Sequence, residues 1–379
     1  MRINNSPKYK RRRRIAAIIF SFILILNTIF LVKIIKKFTK AKDTTKQANA
    51  TNMKKLSNNK DSYKDILLSF TGDCTLGTDT SFSYNQSMPA VLQNNGNDYS
   101  YLFKNVSSIF KSDDDTIVNL ETTFTNATKK VPKTFNFKAD PKYAKALTLG
   151  NIDMVNISNN HIHDYGEKGL QDTMNTLKNN NIPFFGEGNK AIKDIKGIKF
   201  GFLGYMGFEN TDEIKNKIKN DISDLKNNNC KIVIVTFHWG VEGNYNPIDT
   251  QKNLAHFSID NGADLIIGHH PHVVEGLELY NNKIICYSLG NFCFGGNFNP
   301  GDKDTFIFQI KYAFKNDDIN DRKIRIIPCK ISSVNNINDY CPTPVENDEK
   351  DRILTKINGL SKNLPENLNN DFININVKK

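Results

Sequence analysis

An α/β domain behind a single N-terminal membrane-spanning helix is the fold class that the sequence predicts, on three observations. An uncharged apolar run, Ile15–Val32, stands between two clusters of basic residues. From residue 66 onward, short runs rich in Ile, Val and Phe alternate with amphipathic stretches. Nearly every unusual polar residue falls at the carboxyl end of one of those runs, which is where open α/β sheets bind ligands.

The chain opens on a basic segment, residues 1–14, followed by 18 residues (15–32) in which only Ser21, Asn27 and Thr28 are polar. That is about the shortest helix that crosses the hydrocarbon core of a bilayer. A cleaved signal peptide also follows basic residues, but its apolar part is shorter and closes on a small-residue site. Here the nearest such site, Ala48-Asn49-Ala50, lies behind Lys33, Lys36, Lys37, Lys40 and Lys42, so an uncleaved anchor is expected. Arg2, Lys8, Lys10 and Arg11–Arg14 precede the run and outnumber the five lysines just after it. The positive-inside bias therefore favours a cytoplasmic N-terminus, and a single-pass protein of the cell membrane with its C-terminal domain outside. Residues 33–64 are expected to be a linker, since 39–64 are rich in Lys, Thr, Asn and Ser and poor in large apolar side chains.

Charge is lopsided. The whole chain carries 51 Lys and Arg against 40 Asp and Glu, but residues 1–64 hold 17 of the former and two of the latter, so the rest is slightly acidic. A nucleic-acid partner is not expected, because phosphate neutralisation requires basic residues on the folded surface. The six cysteines form no C-x-x-C pair, which excludes a zinc ribbon or a thioredoxin-type site. A Cys329–Cys341 bridge and free buried thiols both stay open.

The apolar runs come in order. Ile66–Phe70 precedes Thr71-Gly72-Asp73, Thr116–Leu120 precedes Glu121, and Ile152–Ile157 precedes Asn159-Asn160-His161. Lys199–Leu203 follows, then Lys231–Phe237 before His238-Trp239-Gly240, Ala263–Ile267 before Gly268-His269-His270, and Lys283–Leu289 before Gly290-Asn291. Continuous runs of this length read as strands buried on both faces. Between them, Gly166–Asn179 and Pro247–Asp260 place Leu170, Met174 and Leu177, and Leu254 and Phe257, at helical spacing. Past Ile310 the pattern fades, with one further strand expected around Ile324–Ile327. The domain is therefore drawn over 65–330, with 331–379 as a polar extension.

Six of the seven histidines lie in three of these strand-end motifs: His161 and His163; His238; and His269, His270 and His272. One histidine alone is more often structural, but six gathered this way point to a metal site. Imidazole and carboxylate suit Zn, Mn or Fe. Asp73, Glu121, Asn160, His238, His270 and His272 supply enough ligands for two divalent ions, which would clamp a phosphoryl oxygen and lower the pKa of a bound water.

Taken in order, Gly72-Asp73, Asn119-Leu120-Glu121, Asn160-His161, His238 and His270-x-His272 resemble the dispersed motifs of calcineurin-like metallophosphoesterases. More closely, Thr71-Gly72-Asp73, Val118-Asn119-Leu120-Glu121, Asn159-Asn160-His161 with Asp164 and Gly166, His238-Trp239-Gly240-x-Glu242, Gly268-His269-His270-Pro271-His272-Val273 and Tyr287-Ser288-Leu289-Gly290-Asn291-Phe292 resemble the CapA family of poly-γ-glutamate capsule synthesis proteins. The resemblance spans about Ile66 to Ile310. It implies a four-layer α/β/β/α metallophosphatase-like sandwich and a part in making or exporting poly-γ-glutamate or a related anionic surface polymer, beside the membrane and other capsule-synthesis subunits. It also implies divalent metal, Mn, Zn or Fe, at one or two positions.

Two departures stand out: Cys74-Thr75 follows Asp73 where metallophosphoesterases have Asp-x-His, and Glu121 stands where they have Asp. By the same resemblance, Asp73 and Glu121 are carboxylate ligands, with Glu121 as bridge. Asn160, His238, His270 and His272 complete the shells, and His269 is the alternative if the register is shifted by one. His161 would be the general acid, oriented by Asp164. Glu242, Ser288 and Asn291 would bind substrate or hold their loops, and Trp239 and Pro271 would shape the site. Two other functions stay open: a general surface metallophosphoesterase acting on a phosphoester unrelated to capsule, and a non-catalytic scaffold that keeps the fold.

Overall fold

The structure, a computed structural model, describes residues 7–57 and 61–376; residues 1–6 of the expected basic N-terminus and 58–60 of the expected linker lie outside the described residues. The chain divides into two units, Met1–Ser62 and Tyr63–Lys379.

The first unit is one helix, α1 (Pro7–Ser57). Within it Arg14–Lys37, 24 residues, is long and apolar enough to cross a membrane. Its large side chains are exposed, Phe20 by 68%. The helix runs on as far as Ser57, through most of the segment that the sequence marks as a linker. The reason is local: residues 39–57 contain no Gly or Pro, and their Ala, Lys, Gln, Met and Leu are good helix formers.

In the second unit, β1 (Tyr63–Thr75), β2 (Asp115–Leu120), β3 (Met154–Asn156) and β4 (Phe184–Phe185) pair in parallel in that order. Helix α2 (Gly166–Asn179) crosses between β3 and β4. The second sheet holds β5 (Ala191–Ile195), β6 (Ile198–Met206), β7 (Ile232–His238), β8 (Leu265–His269), β9 (Leu277–Tyr280) and β10 (Lys283–Cys286), in the spatial order β9-β10-β8-β7-β6-β5. Helices α3 (Asp212–Asn227) and α4 (Asp249–Asp260) connect its parallel central strands. The chain then returns to the first sheet. There β11 (Asn291–Phe294) lies parallel to the carboxyl end of β1, and the long hairpin β12 (Asp304–Lys315) and β13 (Asp318–Lys330) extends the other edge.

The two sheets pack face to face. Phe70, Ile117 and Met154 of the first share a core with Phe200, Ile232, Ile234, Leu265 and Ile267 of the second. Alternation along β7 sends Val233, Val235 and Phe237 the other way, onto Ile218, Ile222 and Leu225 of α3 and Leu254 and Ile259 of α4. On the outer face of the first sheet, Val118, Val155 and Ile157 meet Leu170 and Leu177 of α2. The result is the expected four layers, α/β/β/α.

The C-terminal part differs from expectation. After β13, helix α5 (Asn347–Leu360) buries Ile353 and Ile357 in the core between the sheets, and Ile373 and Ile375 follow them in. Four buried isoleucines spread over a polar segment are too sparse to register as a periodic pattern. Residues 331–376 thus fold with the domain rather than trailing from it.

Candidate metal centre

Both sheets point their parallel strands' carboxyl ends at one place. Asp73 lies near the end of β1, Glu121 directly follows β2, His238 ends β7, and His270 and His272 follow β8. Gly72 lets β1 come in close: a Cβ there would sit 2.0 Å from the carbonyl oxygen of Gly290, whose neighbouring Asp73 N–H donates to that same oxygen at 2.9 Å. The turn after β8 carries strain. His270 has φ 98° and His272 φ 59°, left-handed conformations that non-glycine residues rarely adopt and that tend to gather at functional sites.

Three groups of side chains place one ligand atom each within 4.8 Å of one another: Glu121, His238 and His270; Asp73, Glu121 and His272; and Glu242, His270 and His272. Glu121 belongs to the first two. Its Oε2 accepts from Thr75 Oγ1 (3.2 Å), while Oε1, fully buried, has no hydrogen-bond partner and lies 3.5 Å from His238 Nε2 and 4.0 Å from His272 Nε2. An unanswered buried carboxylate oxygen facing two imidazoles is costly unless a cation completes it. The donor set, all carboxylate and imidazole, suits a divalent metal.

Supporting groups fix the rings. Asn119 Nδ2 donates to Asp73 Oδ1 (2.8 Å) and stands 3.3 Å from His238 Nδ1; Asn119 Oδ1 accepts from Asn156 Nδ2 (2.9 Å). Asn160 Oδ1 is 3.0 Å from His238 Nε2, inside the cluster. Asn291 Oδ1 lies 2.9 Å from His272 Nδ1, which leaves Nε2 of that ring to face Glu121. Burial, joined by the neighbouring His270, holds His238 well below the usual imidazole range; burial, joined by His272, brings His270 down to about 4. Both rings are therefore neutral at pH 7, as ligands must be. Burial and the charge of Asp73 push Glu121 well up; at Asp73 burial is outweighed by the histidines around it, and its carboxyl stays low.

His161 sits at the rim. Its Nδ1 is 2.7 Å from Asp164 Oδ2, and Asp164 is held in turn by the Phe137 N–H (2.6 Å) and Lys133 Nζ (2.8 Å). Asp164 thus fixes the ring with its Nε2 free. Burial lowers the His161 pKa, against the opposing pull of Asp164 on the imidazolium.

Not every expected residue converges. His269 stands 3.1 Å from Asp73 Oδ1 without the alignment of a hydrogen bond and joins none of the three groups. Ser288 takes the loop-holding alternative: its buried hydroxyl donates to the Val273 carbonyl (2.8 Å) and accepts from the Gly290 N–H (3.1 Å). Glu242 is exposed at the mouth, beside His270 and His272. His163 turns aside to Glu187 (2.8 Å). Trp239 donates from Nε1 to the Tyr287 carbonyl (2.8 Å) and stacks on Phe237, a packing role. Cys74 offers no substitute for the missing ligand: it points into the core, and burial pushes its thiol up to about 12.

Two residues were given no role of their own from the sequence, Asn119 although it stands within a quoted motif. Asn119 is a polar residue two positions before Glu121 in a buried strand, hence on the same face, and that alternation was a usable signal. Lys133, whose Nζ also donates to the Asn160 carbonyl (2.8 Å), lies in an irregular loop with no such signal.

A family profile described as "Bacterial capsule synthesis protein PGA_cap" matches residues 67–296. The chain is 32% identical over 256 residues to the PGA biosynthesis protein CapA of Bacillus subtilis (strain 168), covering 61% of this chain and 64% of that protein. It is 28% identical over 271 residues to the capsule biosynthesis protein CapA of Bacillus anthracis, covering 64% and 63%. The chain thus spans just under two thirds of the length of these relatives. A crystal structure titled as a novel phosphatase from Mycoplasma pneumoniae aligns with a TM-score of 0.42 at 13% identity, over 70% of this chain and 95% of that one. With more than half of its residues inside the family profile, and all of the clustered histidines and carboxylates among them, this chain belongs to the bacterial capsule synthesis protein PGA_cap family.

Proposed function

We propose that this chain is a membrane-anchored component of the synthesis or export of poly-γ-glutamate or a related anionic surface polymer, acting through a metal-dependent, phosphoesterase-like site on a domain outside the cell. The observation that carries the site is the buried Glu121 carboxylate, shared by two candidate ligand groups and left with one oxygen unanswered. The polymer is inferred from the family and from the relatives named for capsule and PGA biosynthesis. The anchor is inferred from the apolar span of α1.

Asp73, Glu121, His238, His270 and His272 would hold the metal, Mn, Zn or Fe, with Asn160 beside them and His269 outside. A bound divalent ion supplies Lewis acidity toward a phosphoryl or carboxylate oxygen. The chain's own residues do the rest: Asn119 and Asn291 aim the imidazoles, Asp164 fixes His161 with its Nε2 free, and Lys133 adds positive charge at the rim. The missing Asp-x-His ligand, with Cys74 buried and protonated, favours one firmly held ion over two.

The test joins chemistry and phenotype. Full-length protein reconstituted in lipid is analysed for metal and for hydrolysis of an aryl phosphate, as wild type, His238→Ala and His270→Ala, and the same alleles are returned to cells lacking the chain. Stoichiometric metal lost in both variants, together with loss of surface polymer, is the expected result. Wild-type protein that takes up no divalent ion would remove the metal site from the proposal. Polymer deposited normally by cells lacking the chain would remove the capsule role.

A further inference from the structure

A cavity of about 520 Å³ opens directly beside the metal centre, with His161 and His272 in its wall. That is the size of a small-molecule subsite. Beside the polar Ser83, Gln86, Asn291 and Asn297, five phenylalanines from three stretches of chain line it: Phe82, Phe135 and Phe137, and Phe294 and Phe298. Two runs of rings lead to the histidines. Phe82 meets Phe135 edge-on at 5.7 Å, Phe135 and Phe137 are parallel at 6.4 Å, Phe137 lies 4.3 Å from the His161 ring, and Phe294 lies 5.2 Å from the His272 ring. The aromatic wall therefore begins at the two histidines where an anion at the metal centre would end. Phe135, although it touches Phe82 and Phe137, is still 46% exposed, a large apolar surface open to the cavity next to a polar cluster.

The charges of the cavity point the same way. Apart from the histidines, the charged side chains lining it are Glu242 and Asp302, both acidic. Asp302 is already engaged by the Tyr245 hydroxyl (2.8 Å) and Lys356 Nζ (2.6 Å). Among the described residues no Lys or Arg lines the cavity. A γ-linked glutamate chain carries a carboxylate on every residue, and placing those carboxylates against phenyl rings and the acidic Glu242, with no Lys or Arg in the wall, is penalised. A neutral ring meets no such cost and gains offset or edge-on contact with the wall.

We infer that this cavity is the subsite for a neutral, ring-sized apolar or aromatic group borne by a small anion held at the metal centre, and that the polymer chain itself does not enter it. The inference rests on the reading of the centre as an anion site. It narrows the substrate class to a small amphiphilic phosphoester or related anion, with specificity set by the exposed Phe135 and the half-buried Phe298, and by Phe137 and Phe294 at the histidines.

The test uses the full chain in lipid nanodiscs, loaded with manganese, and calorimetric affinities for phenylphosphonate, methylphosphonate and inorganic phosphate. Phenylphosphonate is expected to bind about tenfold tighter than methylphosphonate, or about 1.4 kcal/mol. In Phe135→Ala/Phe298→Ala that advantage disappears while methylphosphonate binds as before; if the double variant does not fold, Phe135→Ala alone, altering an exposed ring, gives the reading. Equal affinity of the wild type for the phenyl and methyl compounds overturns the inference, and so does displacement of phenylphosphonate by a γ-linked glutamate oligomer. If no phosphonate or phosphate binds, the anion-site reading fails, and the cavity is then read by itself with neutral benzamide. Saturation transfer to benzamide that vanishes in the double variant supports the subsite, and its absence in the wild type overturns it.

Discussion

Two clusters of charge in this domain are built on opposite terms. At the metal centre, Asp73, Glu121, His238, His270 and His272 are packed together with an unanswered carboxylate oxygen, neutral imidazoles side by side, and a strained turn. Where α5 docks on the β12–β13 hairpin, every member is answered. Arg352 grips Asp304 through two nitrogens (2.5 and 2.9 Å) and Glu349 (2.9 Å), Lys356 reaches Asp304 (2.9 Å), and Lys330 reaches Glu349 (2.5 Å). The second cluster ties an element down. The first leaves a buried carboxylate oxygen without a partner, which a bound divalent ion would complete. In this pair, the incomplete buried cluster coincides with the candidate site and the complete one with a joint.

The sharpest way to break this contrast is His238→Ala. It should abolish metal binding and reduce any phosphoester hydrolysis by at least about a hundredfold, while thermal unfolding of the metal-free protein stays cooperative; elemental analysis and a melting curve decide it. Next in size is Asp304→Asn. It should cost about 1–3 kcal/mol at pH 7, held down by the exposure of Arg352, with metal content unchanged. Its effect has a pH signature. Burial would raise the Asp304 pKa, but Arg352 and Lys356 outweigh it and hold the carboxyl low. The stabilisation is therefore present above the unfolded-state carboxyl pKa of about 3.9 and is lost as pH falls through the folded value. Denaturant titrations of wild type and variant should converge below that range; a constant gap down to pH 2 would contradict it.

Glu121→Gln comes third and tests the centre from the other side. It should weaken metal binding by about 10- to 100-fold yet leave the metal-free protein as stable as wild type, because burial already favours the protonated carboxyl. A drop of several degrees in the melting temperature without metal would mean that Glu121 is structural. The same raised carboxyl makes metal uptake proton-linked: affinity should fall from pH 7 to pH 5, and calorimetry in buffers of different ionisation heat should register proton release. The smallest effect is expected of Asn291→Ala, which frees the His272 ring and should cost up to about tenfold in metal affinity.

What was legible in the sequence follows the same division. The central strands and their polar ends were readable because β2, β7 and β8 are buried on both faces, which demands unbroken Ile, Val and Phe, and α2 was found from Gly166 to Asn179 by its helical spacing. Since ligands gather at strand ends, the main ligand candidates came with the strands. The aromatic cavity did not, because Phe82, Phe135 and Phe298 sit in irregular loops whose convergence depends on tertiary packing. Helix α5 was hidden for a related reason: its contacts are made with a hairpin far back in the chain, and charge rather than apolar periodicity holds much of it.

The six cysteines have a use beyond the fold. All are free and buried, and burial pushes Cys74 up to about 12 and Cys341 up to about 11. Alkylating reagents and oxidants act on the thiolate and need access to it, so the closed domain is chemically silent toward both. Each excursion that opens a sheet or peels away a layer exposes a thiol at its own address: Cys74, Cys293 and Cys329 under the α2 side, Cys230 under α3 and Cys286 between the sheets. Pulse alkylation read residue by residue would therefore time the opening of each layer separately, with no label added to the chain.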